Sequence, residues 1–138
     1  NINNLSFNKN DFFNSDRVLN TLKKEADFIV LAGFLWKIPE NIINAFTNKI
    51  INIHPALLPK YGGKGMYGDN VHKAVVANRE KETGITIHFV NKNYDEGAII
   101  FQAKVEVNED DNFEDVAKKV HQLEYEHFPR VIEEVIVK

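Results

Sequence analysis

Residues 27–33 of the chain have the sequence DFIVLAG, an apolar run that ends at a glycine. Its length and branched side chains favour a β-strand buried on both faces, which is typical of parallel sheets covered by helices. Apolar residues at helical spacing over 14–25 and 39–46, and a second apolar stretch over 49–54, give the order helix, strand, helix, strand. This alternation predicts a right-handed α/β unit.

The second half of the chain shows a different pattern. Proline and glycine residues over 55–68 predict a loop, and a short helix is expected around 71–75. Period-two alternation over 83–90 and 98–107, on either side of a turn at 91–97, predicts two antiparallel strands.

The helix ends carry further signals. Ser15 or Asp16 can cap the first predicted helix, and Asn112 and Asp115 have the spacing of a capping box at the start of the last one. We expect Pro129 to kink or end that last helix. The sequence thus predicts a single domain over residues 1–138, with a Rossmann-like open, mostly parallel sheet, helices on both faces and an antiparallel pair towards the C-terminal half.

Composition narrows the function classes. The 138 residues include no cysteine, which excludes a disulfide scaffold, a thiolate zinc site and a cysteine nucleophile, and fits a cytoplasmic location. A net charge of −3 gives no broad basic field, so nucleic acid is not an expected partner. The longest apolar stretch, residues 28–36, is far shorter than the roughly 20 residues of a membrane-spanning helix, so no membrane partner is expected either.

Two polar side chains interrupt the second strand, Asn52 and His54. Residues two apart on a strand share a face, and this pair lies at the carboxyl end, where open α/β sheets place their ligands. An amide and an imidazole side by side can stabilise a developing oxyanion. The alternative, that Asn52 caps a turn and His54 bonds nearby backbone, stays open on spacing alone.

Three stretches of the chain form specific motifs: NIHPALLPKY at 52–61, VLAGF at 30–34 and DEGAIIFQ at 95–102. They resemble formyltransferases that use 10-formyltetrahydrofolate, and within that family the branch that formylates glycinamide ribonucleotide in purine synthesis. The resemblance runs from Asp27 to the C-terminus, apart from extra glycine-rich residues at 62–70 whose role it leaves open. It implies folate as cosubstrate, the ribonucleotide as substrate and no metal.

The resemblance implies a catalytic trio of Asn52, His54 and Asp95. Asn52 and His54 would donate hydrogen bonds to the formyl oxygen as it becomes an alkoxide. Asp95 would raise the pKa of His54 and hold a water that relays a proton. Without the resemblance, the sequence Asp-Glu-Gly at 95–97 is typical of an ordinary turn.

The resemblance also implies binding residues. Folate contacts fall on Asn52 and, in the segment after the first strand, on Leu35, Trp36, Lys37 and Ile38. By a looser match, Lys9 corresponds to an upstream basic residue that also contacts folate. Glu124 matches a residue that contacts the ribose of the ribonucleotide. The alternative for Trp36 and Ile38 is that both are simply core residues.

Other motifs do not indicate further sites. Glu124 and His127 have the Glu-x-x-His spacing of a di-iron helix, but the additional glutamates are missing. The stretch GGKG at 62–65 lacks the spacing and the Ser or Thr of a phosphate-binding P-loop, so it is interpreted as a mobile loop. His72, His88 and His121 are interpreted as packed or surface residues, although His88 matches a histidine near the family's active site.

Members of this family begin with a strand and a glycine- and serine-rich loop that holds the substrate phosphate at a helix N-terminus. The first residues of this chain do not match that segment, so we expect the chain to correspond to a C-terminal portion of the family domain. An unpaired sheet edge would then favour self-association. Two alternatives remain at this stage, a formyltetrahydrofolate deformylase and a noncatalytic folate-binding fragment.

Overall fold

The computed structural model describes residues 2–93 and 95–137. Position 94, in the turn predicted at 91–97, lies outside this described part. The helices are α1 (Lys9–Phe13), α2 (Arg17–Glu25), α3 (Glu40–Ala45), α4 (Asp69–Ala77) and α5 (Phe113–Val137), and the strands are β1 (Ile29–Leu31), β2 (Ile50–His54), β3 (Glu82–Phe89) and β4 (Ile99–Glu106). None of the described helices is both long and apolar enough to cross a membrane.

The four strands form one sheet in the order β1-β2-β3-β4. β1 and β2 are parallel, as the predicted α/β unit requires, and β3 and β4 form the predicted antiparallel pair. β2 and β3 are also antiparallel, so the described sheet is mixed rather than mostly parallel. The reason is that the loop and α4 return the chain to the end of the sheet at which β2 finishes, and β3 therefore runs back along β2.

Helices cover both faces of this sheet, as predicted. On one face, Ile53, Ile85 and Ile87 pack with α4 and α5 through Val71, Val75, Val116 and Val120. On the other face, Ile50 packs with α2 and α3 through Val18, Leu19, Ile42 and Phe46. The period-two alternation of β2 and β3 thus separates two apolar clusters and places Asn52 and His54 on the second face.

Several helix ends differ from the prediction. α1 was not predicted. It has five residues, and a reciprocal capping box between Asn8 and Asp11 stabilises its N-terminus. Of the two caps predicted for α2, the side chain of Asp16 makes no capping bond, whereas the hydroxyl of Ser15, the other candidate, accepts a hydrogen bond from the backbone N–H of Arg17 at 3.3 Å. Short-range hydrogen bonds stabilise these helix ends, and the spacing of apolar residues does not predict such bonds.

Pro129 lies inside α5, so the predicted ending of the last helix at this proline is wrong, whereas the alternative, a kink, stays a prediction. The capping box of Asn112 and Asp115 is present at its start, as expected, but the helix continues through Pro129 to Val137. Phe128 and Val131, on either side of the proline, both pack into the apolar cluster on α5's face of the sheet. Tertiary packing of this kind offsets the roughly 3 kcal/mol that a proline costs within a helix.

Gly97 sits where the turn between β3 and β4 approaches the backbone of Phe89. A Cβ at this position would overlap the carbonyl oxygen of Phe89 and lie 2.6 Å from its carbonyl carbon. We expect Gly97→Ala to lower the free energy of unfolding by about 3 kcal/mol, because backbone atoms cannot move aside as a flexible side chain can. Urea unfolding followed by circular dichroism measures the change.

Gly65→Ala is the matched control for this stability prediction. Gly65 has φ +83°, and a Cβ there would meet no heavy atom within 4 Å, so the substitution incurs only backbone strain, about 1 kcal/mol. Equal losses of stability in Gly97→Ala and Gly65→Ala would show that the approach to Phe89 is not as close as described.

Candidate active site

A cleft of about 690 Å³ opens at the carboxyl ends of β1 and β2. Its walls come from the segment after β1, the end of β2, the glycine-rich loop before α4, and one face of α5. This is the edge of the sheet at which the sequence predicted a ligand site. Asn52, His54 and Asp95, which are distant in sequence, all line this cleft.

Asn52 is held by a histidine on the neighbouring strand. The β2–β3 register places Asn52 opposite His88, and the Asn52 Nδ2 lies 3.3 Å from the His88 Nε2. The His88 Nδ1 lies 2.9 Å from the carbonyl oxygen of Phe89, so Nδ1 carries the proton and donates it. In the neutral ring, Nε2 then accepts from the Asn52 amide. The second N–H of that amide is able to donate to a substrate oxygen.

His54 is buried, and both ring nitrogens face defined partners. Nε2 lies 2.7 Å from the carbonyl oxygen of Tyr61, so it donates an N–H to that carbonyl. Nδ1 lies 3.6 Å from the Asp95 Oδ1. Because Nε2 holds the proton of the neutral ring, Nδ1 becomes a donor only when His54 is an imidazolium.

The pKa of His54 is shifted in the opposite direction from the one expected. Burial lowers the pKa below its ordinary value, and the nearby Asp95 carboxylate opposes this without reversing it. Positive charge on His88 would lower the pKa of His54 further. The predicted upward influence of Asp95 is therefore present, but desolvation of the buried ring outweighs it.

Asp95 accepts one backbone hydrogen bond and lies close to two histidine rings. Its Oδ2 accepts the backbone N–H of Gly63 at 2.9 Å, and its Oδ1 lies 3.6 Å from the His54 Nδ1 and 3.7 Å from the His88 Nε2. Burial alone would raise the pKa of Asp95, but the interactions with His88, His54 and Gly63 hold it below its usual range. Asp95 is therefore a carboxylate at neutral pH.

The backbone at Asp95 and at Gly62 allows Asp95 to lie close to the glycine-rich loop. Asp95 has φ +53°, in the left-handed region that non-glycine residues rarely adopt. A Cβ on Gly62 would lie 2.6 Å from Cδ2 of Leu58 and 3.3 Å from Cβ of Asp95, so a glycine here lets Asp95 approach without displacing either side chain. Strained backbone of this kind is frequent at functional sites.

The segment expected to bind folate lines the same cleft. Leu35, Trp36, Lys37 and Ile38 are all wall residues. Leu35 is 54% exposed, whereas Ile38 is buried with α3 in the apolar cluster and presents little side chain to a ligand. Trp36 packs edge-on or tilted against Phe7, Phe12, Phe13 and Phe34.

Lys9 lies beside this segment rather than in the wall of the cleft. Its Nζ is 5.7 Å from the centroid of the Trp36 ring, a distance at which cation–π attraction operates. The residues that form the cleft wall do not include Lys9. A role for Lys9 in folate binding therefore stays a prediction.

The far end of the cleft is formed by α4 and α5. Glu124, His72 and His121 line it, and the rings of His72 and His121 are 6.4 Å apart with an edge-to-face arrangement. Burial raises the pKa of Glu124, against the opposing influence of His121. His72 is 2% exposed, and its Nδ1 has no hydrogen-bond partner within the described chain.

His127 is not among the residues that line the cleft, and the centroid of its ring lies 5.0 Å from that of Phe101. Over residues 2–93 and 95–137, no cluster of three or more His, Asp or Glu side chains has the geometry of a metal site. Glu124 and His127 therefore do not belong to a group of metal ligands in this described part of the chain.

Sequence reasoning missed two backbone groups of the site. The carbonyl of Tyr61 and the amide of Gly63 contact His54 and Asp95 respectively, and both belong to the glycine-rich loop. Residue types carry little information on backbone groups, although the three positive-φ glycines of this loop, Gly63, Gly65 and Gly68, do mark an unusual path. The mobility predicted for the loop stays a prediction.

Comparison with known proteins gives consistent matches. A family model described as formyl transferase matches residues 2–132. The chain is 44% identical over 123 residues to the chloroplastic phosphoribosylglycinamide formyltransferase of Arabidopsis thaliana and 37% identical over 112 residues to the Bacillus subtilis phosphoribosylglycinamide formyltransferase. The crystal structure of phosphoribosylglycinamide formyltransferase from Bacillus halodurans superposes with a TM-score of 0.79 at 32% identity.

These matches cover most of this chain but only part of each relative. They span 88% of the chain and 42% of the Arabidopsis protein, 81% and 55% for the Bacillus subtilis protein, and 88% and 60% for the Bacillus halodurans structure. The Arabidopsis protein is named as chloroplastic, so the cytoplasmic location expected from composition stays a prediction.

Proposed function

Because the chain belongs to the formyl transferase family, we propose that its cleft transfers the formyl group of 10-formyltetrahydrofolate to the amine of glycinamide ribonucleotide. The cleft of about 690 Å³ lies within the range of roughly 300 to 1,000 Å³ that is typical of small-molecule sites. The relatives named as phosphoribosylglycinamide formyltransferases support the choice of acceptor.

The reaction needs an oxyanion stabiliser and a route for one proton. The substrate amine attacks the formyl carbon, and the formyl oxygen becomes an alkoxide. When this intermediate collapses, the bond from the formyl carbon to N10 of the folate breaks and the electron pair stays on N10. The proton lost by the attacking amine must reach that nitrogen.

Three cleft residues can meet these needs. The second N–H of Asn52 and the Nδ1–H of protonated His54 would donate to the alkoxide as its charge develops. Asp95 is ionised and would stabilise the imidazolium form of His54, and it is placed to hold a water that relays the proton.

The convergence of Asn52, His54 and Asp95 in one cleft is the observation that carries this proposal. We assign the segment from Leu35 to Ile38 to the folate and Glu124 to the ribose of the acceptor, since they lie in walls of the same cleft. No step in this scheme requires a metal ion.

Binding of both ligands tests the proposed function. Calorimetric titration of the intact protein with a nonreactive folate analogue and, separately, with glycinamide ribonucleotide is expected to give one site for each. Folate binding without ribonucleotide binding would instead indicate a protein that holds folate without transferring its formyl group.

A substitution at Glu124 is expected to affect one ligand selectively. Glu124→Gln removes the carboxylate that would accept hydrogen bonds from ribose hydroxyls, and charged hydrogen bonds are stronger than neutral ones. We expect the KM for the ribonucleotide to rise by roughly 10-fold, which corresponds to about 1.4 kcal/mol, with little change in the KM for folate. Steady-state kinetics with each substrate varied in turn measures both values.

Glu126→Gln is the matched control for this prediction. Glu126 lies on the same helix but is exposed and contacts Gln122 and His127 rather than the cleft. Equal effects of Glu124→Gln and Glu126→Gln on the ribonucleotide KM would remove Glu124 from the acceptor site.

A further inference from the structure

Thr86 lies directly opposite His54 in the β2–β3 register and is completely buried. Its hydroxyl donates to the carbonyl oxygen of Ala56 at 2.7 Å and accepts the backbone N–H of Leu58 at 3.0 Å. One side chain of β3 therefore holds both ends of the turn that follows His54. A buried hydroxyl with this many partners fixes the backbone around it.

Gln102 strengthens the same attachment from β4. The β3–β4 register places it opposite Thr86, and its Nε2 donates to the Thr86 hydroxyl at 2.9 Å and to the carbonyl oxygen of Leu58 at 3.0 Å. Unlike Thr86, Gln102 is exposed at the sheet surface. We call these two side chains, with the bonds they make to Ala56 and Leu58, the Thr86–Gln102 clamp.

The clamped turn leads directly to the contacts of the catalytic pair. A backbone hydrogen bond from Lys60 to the carbonyl of Leu57, at 3.2 Å, continues the turn. The carbonyl of Tyr61 then accepts the N–H of His54 Nε2, and two residues later the amide of Gly63 donates to Asp95. His54 and Asp95 are thus both held by backbone groups whose path begins at the clamp.

We propose that Thr86 and Gln102 are positioning residues, which act through the 56–63 segment to hold His54 in its Nε2–H tautomer with Nδ1 directed at Asp95. The consequence for catalysis rests on the proposed function of the cleft, while the effect on the His54 ring does not. Neither side chain touches the reacting atoms in this role.

The tautomer is the property that this arrangement controls. A histidine with Nε2–H bonded to a fixed carbonyl keeps Nδ1 free for a second partner. If the turn shifts, the Tyr61 carbonyl leaves Nε2, so the imidazolium that donates from Nδ1 loses one of its two stabilising partners, and the neutral ring is no longer held in one tautomer or orientation. A small displacement of a catalytic group by a distant substitution can lower turnover by about 100-fold.

The test compares Thr86→Val, Thr86→Ser and Gln102→Met. Valine keeps the shape of threonine but removes the hydroxyl, serine keeps the hydroxyl, and methionine keeps the length of glutamine without its donors. The readouts are the two-bond ¹H–¹⁵N correlations of the His54 ring in protein labelled with ¹⁵N-histidine, and steady-state formyl transfer.

We expect Thr86→Ser to retain the wild-type His54 tautomer and a kcat within a few-fold of wild type. Thr86→Val is expected to shift the His54 ring signals towards a mixture of tautomers and to lower kcat by roughly 100-fold with little change in the folate KM. Gln102→Met is expected to change both in the same direction by a smaller amount, since Gln102 is exposed and Thr86 keeps its bonds to Ala56 and Leu58.

A wild-type His54 tautomer in folded Thr86→Val would overturn the proposal. If Thr86→Val fails to fold, Gln102→Met tests the proposal instead. Unchanged His54 ring signals in Gln102→Met would then also overturn the proposal. The His54 ring signals are recorded without substrates, so they do not depend on the proposed function. A wild-type protein that transfers no formyl group would contradict the proposed function, while a tautomer shift in Thr86→Val would still support the role of the clamp.

Discussion

His54→Ala is expected to lower kcat by about 100-fold or more, with the KM for folate within a few-fold of wild type. The Nδ1–H of the imidazolium would contact the formyl oxygen most strongly after charge develops on it, so its loss raises the barrier more than it weakens substrate binding. Asn52→Ala is expected to behave in the same way, because the Asn52 amide would donate to the same oxygen. Steady-state kinetics of the intact protein gives both parameters.

His127→Ala provides the control for a histidine on the same chain that lies outside the cleft, where it packs against Phe101. We expect it to leave kcat near the wild-type value. Turnover close to wild type in either His54→Ala or Asn52→Ala would contradict the assigned role of that residue.

Asp95→Asn is expected to lower the pKa of His54 further and to reduce kcat by roughly 100-fold or more. The substitution keeps the shape of the side chain and removes its charge. The Asp95 carboxylate favours the imidazolium, so its loss makes protonated His54 less stable. Less of the protein then carries a donor on Nδ1 at neutral pH, and the active form shifts to lower pH.

An NMR titration of the His54 ring in wild type and Asp95→Asn measures this shift directly. Asp111→Asn is the matched control, because Asp111 pairs with Lys119 instead of a cleft residue. An unchanged or higher pKa of His54 in Asp95→Asn would show that the two side chains do not interact as a charge pair.

The parts of the fold that could be predicted from sequence are those set by long apolar patterns. The alternation of Ile50, Asn52 and His54 with Ile51 and Ile53 fixes both the strand and the face that carries the polar pair. α1 could not be predicted in this way, because five residues are too few to show a helical period and the helix depends on its capping box and the burial of Phe12. The continuation of α5 through Pro129 likewise depends on packing that only the folded chain supplies.

In the candidate site, too, some features follow from the sequence pattern and others depend on the folded chain. That Asn52 and His54 face one side follows from strand geometry, whereas the approach of Asp95 depends on its left-handed backbone and on the missing side chain of Gly62. The net direction of the His54 pKa shift could not be predicted either, since it reflects a balance between burial and charge. Thr86 resembles any strand threonine in the sequence, and its hydrogen bonds to the turn appear only once β2 and β3 pair.

The fate of the formyl carbon tests most directly whether this cleft transfers a formyl group to the ribonucleotide amine. The intact protein would be mixed with 10-formyltetrahydrofolate labelled with ¹³C in the formyl group, with and without glycinamide ribonucleotide, and followed by ¹³C NMR. We expect the label to appear as a formamide on the glycinamide nitrogen when the ribonucleotide is present and to remain on the folate when it is absent. Release of labelled formate at the same rate in both samples, with no formamide formed, would contradict the proposed function.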